Sequence, residues 1–202
     1  MSQAKKVFTR MCLNNWGGID HKVLEFHEYV NLFSGKSGSG KSTVMDAIQV
    51  ILYGSFSPSF LNKAADDAKN RRSVLSYLRG EQKDGSANRK DCDFCSVIAL
   101  EMEDTGTHII TCIGIAFEVR KSDSEIKKFV YFSHSGKMPE SEYLTEQGVC
   151  YSNQEIKKLV SARTKSDDNR GKGEVNRIYG SKEAYLGTLY DVILGYIDQN
   201  RF

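Results

Sequence analysis

The sequence predicts a mixed α/β (α+β) fold, and three observations carry that prediction. A glycine-rich loop at residues 35–42 stands between a short apolar run and a longer run with helical spacing. Three strand-like segments separated by tight turns follow between residues 94 and 132. Helix signals dominate what remains, with no return to alternating strands and helices.

Residues 7–13 alternate apolar and polar and read as a first strand, ended by the turn-forming Asn14-Asn15-Trp16-Gly17-Gly18. Residues 22–26 read as a second strand. The apolar run 29–33 reads as a short buried strand feeding the glycine loop. The loop itself, Gly35-Lys36-Ser37-Gly38-Ser39-Gly40-Lys41-Ser42, fits G-x-x-x-x-G-K-[ST], the phosphate-binding P-loop. Residues 43–53 read as the helix it opens, closed by Gly54.

These residue types suit a triphosphate. A helix start offers unpaired N–H groups and partial positive charge. Gly35 and Gly40 let the backbone approach phosphate where a Cβ would clash. Lys41 is expected to reach the β- and γ-phosphates and is the candidate catalytic residue. Ser42 is expected to ligate Mg²⁺. Lys36, Ser37, Gly38, Ser39 and Thr43 complete the binding set, Ser37 to Ser39 through backbone N–H groups. The implied ligands are ATP and Mg²⁺.

Residues 55–59 form a loop, and 61–79 read as a helix with slack spacing around 69–73. Residues 80–91 are polar and glycine-containing and read as a mobile loop. Residues 94–103, 108–119 and 126–132, joined by 104–107 and 121–124, form an antiparallel meander. Ser152-Asn153-Gln154-Glu155 is a capping box opening a helix over 156–160. Residues 164–173 form a charged loop, and Ser181 caps a last helix with Tyr185, Leu186, Leu189, Tyr190, Ile193 and Leu194 on one face.

At 202 residues the chain is long enough for one large domain with a real core. No apolar run approaches the roughly 20 residues that span a bilayer. The N-terminus lacks the apolar centre of a signal peptide, so a cytoplasmic location is expected. Five cysteines, an odd number, argue against a disulfide framework. Cys92 and Cys95 form one C-x-x-C, for which His108 and Cys112 are the only near co-ligands. The alternative is reduced thiols at a strand entry. With 28 basic and 26 acidic residues, no global nucleic-acid signal exists; a local basic face remains open. His21, His27, His108 and His134 show no ligand spacing.

The order of elements resembles the N-terminal lobe of ABC-type ATPase heads of the SMC, Rad50 and RecF superfamily. The wording is closer still to the MukB-like SMC subunit of Wadjet (JetC/EptC type) anti-plasmid systems. Asn15-Trp16-Gly17-Gly18-Ile19, the stretch from Phe33 through the glycine loop to Ala47, and Ser76-Tyr77-Leu78-Arg79-Gly80 carry this resemblance.

The resemblance implies one N-terminal head lobe over residues 1–202. It divides into a P-loop core at about 5–80, an antiparallel sheet at about 92–133 and a helical region at about 138–202. The C-terminal lobe and the coiled coil are expected outside this chain. It further implies ATP hydrolysis shared between two engaged heads of a homodimer, with the chain alone binding ATP without turning it over. The implied partners are the C-terminal lobe, kleisin-like and accessory subunits and DNA, with no membrane. The implied setting is bacterial and nucleoid-associated, with DNA loop extrusion in plasmid defence.

Asn15 and Trp16 are expected near the base or ribose by the same resemblance; core packing is the alternative for Trp16. Lys63, Lys69, Arg71, Arg72 and Arg79 are candidate DNA-phosphate contacts, with a solvated helix face as the alternative. Gln147, Gln154 and Gln199 are all candidates for sensing the γ-phosphate, and nothing in the sequence chooses among them. The chain has no L-S-G-G-[EQ] signature and no apolar run ending in Asp-Glu. Residues 97–101 imitate such a run, but turn-bounded neighbours make them a meander strand. The absent motifs also count against a transporter nucleotide-binding domain and a self-contained P-loop kinase or GTPase. A regulatory ATP sensor stays open.

Overall fold

The computed structural model describes residues 5–36, 38–57, 61, 73–81, 85–167 and 175–193. Among these, one six-stranded antiparallel sheet organises the molecule, in the order β2-β1-β3-β4-β5-β6. The strands are β1 (Lys6–Trp16), β2 (Ile19–Glu25), β3 (Phe94–Asp104), β4 (Ile110–Val119), β5 (Lys128–Ser135) and β6 (Arg177–Tyr179). Tight turns at 104–109 and 120–127 force antiparallel pairing of β3, β4 and β5. β1 then pairs with β3, so hairpin and meander share one sheet, with Met11 opposite Leu100. The register slips between Phe8 and Arg10, leaving Thr9 as the extra residue of a bulge.

Side-chain alternation gives the sheet two apolar faces. On one, Met11, Leu13, Ile98, Leu100, Ile113 and Ile115 lie in one buried cluster with α1 (Lys41–Tyr53), α2 (Val74–Arg79), α4 (Lys182–Thr188) and a π-helical turn, Leu189–Ile193. On the other, Cys12, Val97, Ala99, Cys112 and Ala116 lie with Met138, Tyr143 and Cys150. Ile156 and Val160 of α3 (Asn153–Asp167) complete that cluster. Each fully buried large apolar side chain contributes about 1.5–3 kcal/mol.

α1 buries Val44, Ala47, Val50 and Ile51, a stripe at helical spacing. Its terminal carbonyls, which lack partners within the helix, are met by tyrosines. Tyr185 donates to Ile51 O at 2.8 Å and Tyr190 to Leu52 O at 3.0 Å. Tyr131 donates to Gly54 O at 2.7 Å and stacks on Tyr185 with ring centroids 4.8 Å apart. The C-terminal end of α1 is thereby tied to β5 and α4.

Both predicted caps are present. Ser152 N–H donates to Glu155 Oε2 at 2.7 Å and Glu155 N–H to Ser152 Oγ at 3.3 Å. Ser181 Oγ accepts from Ala184 N–H at 3.2 Å.

Several expectations are corrected. Residues 29–33 form no strand, and Tyr29, Val30 and Leu32 are exposed: an apolar run becomes a strand only when a neighbour pairs with it. β1 continues through Asn14 and Asn15 to Trp16, because pairing with β2 and β3 overrides their turn preference. α3 runs on to Asp167, into the segment read as a loop. The region after residue 138 is not uniformly helical. Residues 138–151 are turns closed by a bridge between Leu144 and Cys150, and β6 adds an edge strand. Of the helix expected over 61–79, the described part is α2, whose N-cap Ser73 accepts from Ser76 N–H at 3.1 Å.

Candidate functional site

The glycine loop leads into α1 without a side-chain cap. Gly40 is the N-cap in a left-handed conformation (φ 90°), no described side chain caps it, and the first turn holds no acid. The first N–H groups of α1 therefore keep their donors and their partial positive charge for an anion. Gly35 and Gly38 also have positive φ, 151° and 84°, which folds the loop back over the helix start. Lys41 closes the loop: its Nζ donates to Gly35 O at 2.7 Å, Lys36 O at 2.9 Å and Ser39 Oγ at 3.3 Å. Ser42 is exposed and Thr43 half-buried. Ser37 lies outside the described residues.

These residues fit a nucleoside triphosphate with Mg²⁺. The uncapped N–H groups and Lys41 suit phosphate oxygens, and the exposed Ser42 hydroxyl suits the metal. When bound, the metal supplies charge neutralisation at the phosphates. The chain's own part would be to bind and orient the phosphate chain through its backbone and Lys41.

Behind the loop, the β1–β2 turn presses on the first turn of α1. Trp16 is fully buried, its Nε1–H donating to Thr43 O at 2.9 Å and its ring stacked on Tyr77 at 5.2 Å. That geometry corrects the expected base contact, because the indole has no face to offer one. Asn15 (φ 54°) donates through Nδ2 to Cys95 O at 2.7 Å, which ties its amide to β3. The Tyr77 hydroxyl donates to the buried Asp46 carboxylate on α1.

The basic candidates fare unevenly. Arg79 is half-buried, and its Nη2 donates to both Lys121 O at 3.1 Å and Asp123 O at 2.6 Å, which ties it to the β4–β5 turn. This corrects its reading as a surface phosphate contact. Lys63, Lys69, Arg71 and Arg72 lie outside the described residues, as does Gln199. Gln147 and Gln154 are exposed.

Glu101 is buried among the side chains of the sheet face away from α1, accepting from Thr9 Oγ1 at 2.8 Å and Met138 N–H at 2.6 Å. It is a structural carboxylate of a meander strand, as the turn pattern predicts. Burial pushes the Cys12 thiol up to about 12 and Cys95 up to about 11, so both are protonated at neutral pH.

Sequence reasoning missed Tyr77, Asp46 and Arg89. Asp46 carried a signal, since an acid inside the apolar stripe of α1 needs a buried partner. Arg89 carried none. It sits in a polar, glycine-containing stretch read as a mobile loop, yet its side chain is only 7% exposed.

One comparison with known proteins falls on the same loop. Residues 8–68 match a family described as the P-loop containing region of AAA domain. The chain is also 39% identical over 74 residues to the SbcC component of the nuclease SbcCD of Staphylococcus haemolyticus. That alignment covers 35% of this chain and 6% of the relative, so the chain spans a small fraction of that protein's length. A solved structure described as structural biochemistry of ATP-driven dimerization and DNA stimulated activation of SMC ATPases covers 81% of this chain and 99% of its own. It is 15% identical with a TM-score of 0.41, too partial a likeness to map one element onto another. Among the described residues no helix is long and apolar enough to cross a membrane.

Proposed function

We propose that this chain is the ATP-binding N-terminal lobe of an SMC-like ATPase head, with MgATP held by residues 35–43. The observation that carries this is the uncapped start of α1, where Lys41 and positive-φ glycines surround donors that no described side chain takes up. In this reading Asn15 lines the site at most from its rim, and Lys41 orients the β- and γ-phosphates.

Catalysis needs an acid to position water, and Glu101, which ends the apolar run 97–101, faces away from the loop. ATP turnover therefore awaits a C-terminal lobe and an opposing head of a second copy. The exposed Tyr29, Val30 and Leu32, directly before the loop, support a C-terminal lobe that covers them. The whole protein is then a cytoplasmic, nucleoid-associated ATPase with a coiled coil and kleisin-like partners, engaging heads on ATP and moving DNA as in Wadjet plasmid defence. The match to a nuclease component favours, as second reading, a DNA-repair head of the RecF and Rad50 type.

The test is calorimetric titration of the purified chain with MgATP, beside an assay for released phosphate. Binding without turnover is expected. Turnover by the chain alone overturns the half-site reading in favour of a self-contained P-loop NTPase. For the plasmid-defence reading, the complete protein with its partners should lower retention of a small circular plasmid, and Lys41→Ala should restore it. Unchanged retention favours the repair head.

A further inference from the structure

We propose that Arg89 is a positioning residue for the phosphate loop, acting through the β1–β2 turn rather than on the nucleotide. The inference rests on the reading of residues 35–43 as the ATP site.

The Arg89 guanidinium holds three separate pieces of chain. Nε donates to Leu78 O at the end of α2 at 2.9 Å. Nη2 donates to Gly17 O in the β1–β2 turn, and Nη1 to Asp20 Oδ1 at the start of β2 at 2.7 Å. Its backbone is fixed as well, Arg89 N–H donating to Arg79 O at 3.0 Å, and its side chain lies 5.6 Å from the Phe94 ring centroid. An arginine fork spreads its donors over three nitrogens, so it spans α2 and the β1–β2 hairpin together; a lysine donates from one nitrogen.

What Arg89 holds is what touches α1. Gly17 has φ +59°, and a Cβ there would stand 2.6 Å from Thr43 Cγ2, so the turn and the first turn of α1 are in van der Waals contact. Gly17 N–H donates to Tyr77 O at 2.9 Å, and the neighbouring Trp16 donates to Thr43 O. Thr43 follows Ser42 directly, so a shift of the turn is passed to the helix start that presents the phosphate donors. Arg89 lies two segments from the loop and touches neither Lys41 nor Ser42. A change at Arg89 reaches the nucleotide through what it holds: Gly17 in the turn that abuts Thr43, and Leu78, whose neighbour Tyr77 stacks on Trp16 and donates to Asp46 of α1.

The experiment measures MgATP affinity of the purified chain at a temperature where circular dichroism shows every variant folded. Arg89→Met should weaken ATP binding about tenfold, the loss of one charge-assisted hydrogen bond's worth of organisation. Arg89→Lys should recover part of it. Gly17→Ala should weaken binding similarly, and the double variant should lose less than the product of the two. Glu101→Gln, which strains the opposite face, serves as the stability control: it should lower the melting temperature and leave affinity unchanged. If Arg89→Met does not fold, Asp20→Ala removes one acceptor with its side chain 80% exposed and should weaken ATP binding by a smaller factor. Wild-type affinity in the folded Arg89 or Asp20 variant overturns the inference, as does an affinity loss in Glu101→Gln that matches its fall in melting temperature. Failure of the wild-type chain to bind ATP sinks the ATP-site reading, and the inference with it.

Discussion

The two faces of the sheet solve opposite problems. On the face that carries α1, tyrosine hydroxyls donate to terminal carbonyls of α1 and to Asp46 within it, while the glycine loop leaves donors open at its start. On the other face polar groups cluster and bond mainly to one another, although the buried Nε of Arg10 has no hydrogen-bond partner among the described residues. Glu101 takes the Thr9 hydroxyl and the Met138 N–H. His134 donates through Nδ1 to Ser135 O at 3.0 Å and accepts from Tyr143 at 2.9 Å. Asn14 donates to Glu142 O at 2.8 Å, and Arg10 pairs with the Glu142 carboxylate at 3.1 Å. Glu142 and Tyr143 both have positive φ (52° and 60°), a strained pair that these bonds hold in place. A face whose polar groups bond mainly to one another fixes shape; a face with open donors is free to take a ligand.

That contrast breaks first at Lys41. Lys41→Ala should abolish measurable ATP binding by calorimetry and leave the melting temperature nearly unchanged; unchanged affinity would mean the loop holds no nucleotide. Glu101→Ala should do the reverse, costing about 2–3 kcal/mol of stability in urea unfolding because two buried donors lose their acceptor, with ATP affinity intact.

The face away from α1 also predicts a pH response. Burial pulls His134 from 6.5 down to about 4, so the folded chain keeps it neutral while the unfolded chain protonates it. The unfolded state binds more protons between those values, so stability falls as pH drops from 6.5 towards 4. His134→Phe should flatten that part of the stability–pH curve relative to wild type; an unchanged slope would assign it to carboxylates alone. The smallest effect is expected at Ser181→Ala, where loss of the α4 cap should cost about 1 kcal/mol and leave ATP affinity unchanged.

Elements with local signals were legible. The meander was, because its turns and alternation are short-range, and so were the caps at Ser152 and Ser181 and the helix ended by Gly54. The run at 29–33 misled because apolarity alone does not say whether a partner is present. β6 was hidden because Arg177–Tyr179 is too short for a period to register. In the site, the phosphate loop was readable from eight consecutive residues, whereas the roles of Trp16 and Arg79 were not. Each depends on which distant backbone carbonyl happens to be near.

The sequence by itself determined the makeup of the loop: Gly35, Gly40, Lys41 and Ser42 stand at fixed spacing at a helix start left uncapped, and backbone freedom and charge at that spacing need nothing distant to be present. Only the tertiary structure decided that β1 joins the meander, that Glu101 faces away from the loop, and that Arg89 is buried beneath the turn that abuts Thr43. Those facts rest on contacts between residues tens of positions apart. They form only when burial and hydrogen-bond satisfaction are settled for the whole chain at once, and no local pattern encodes them.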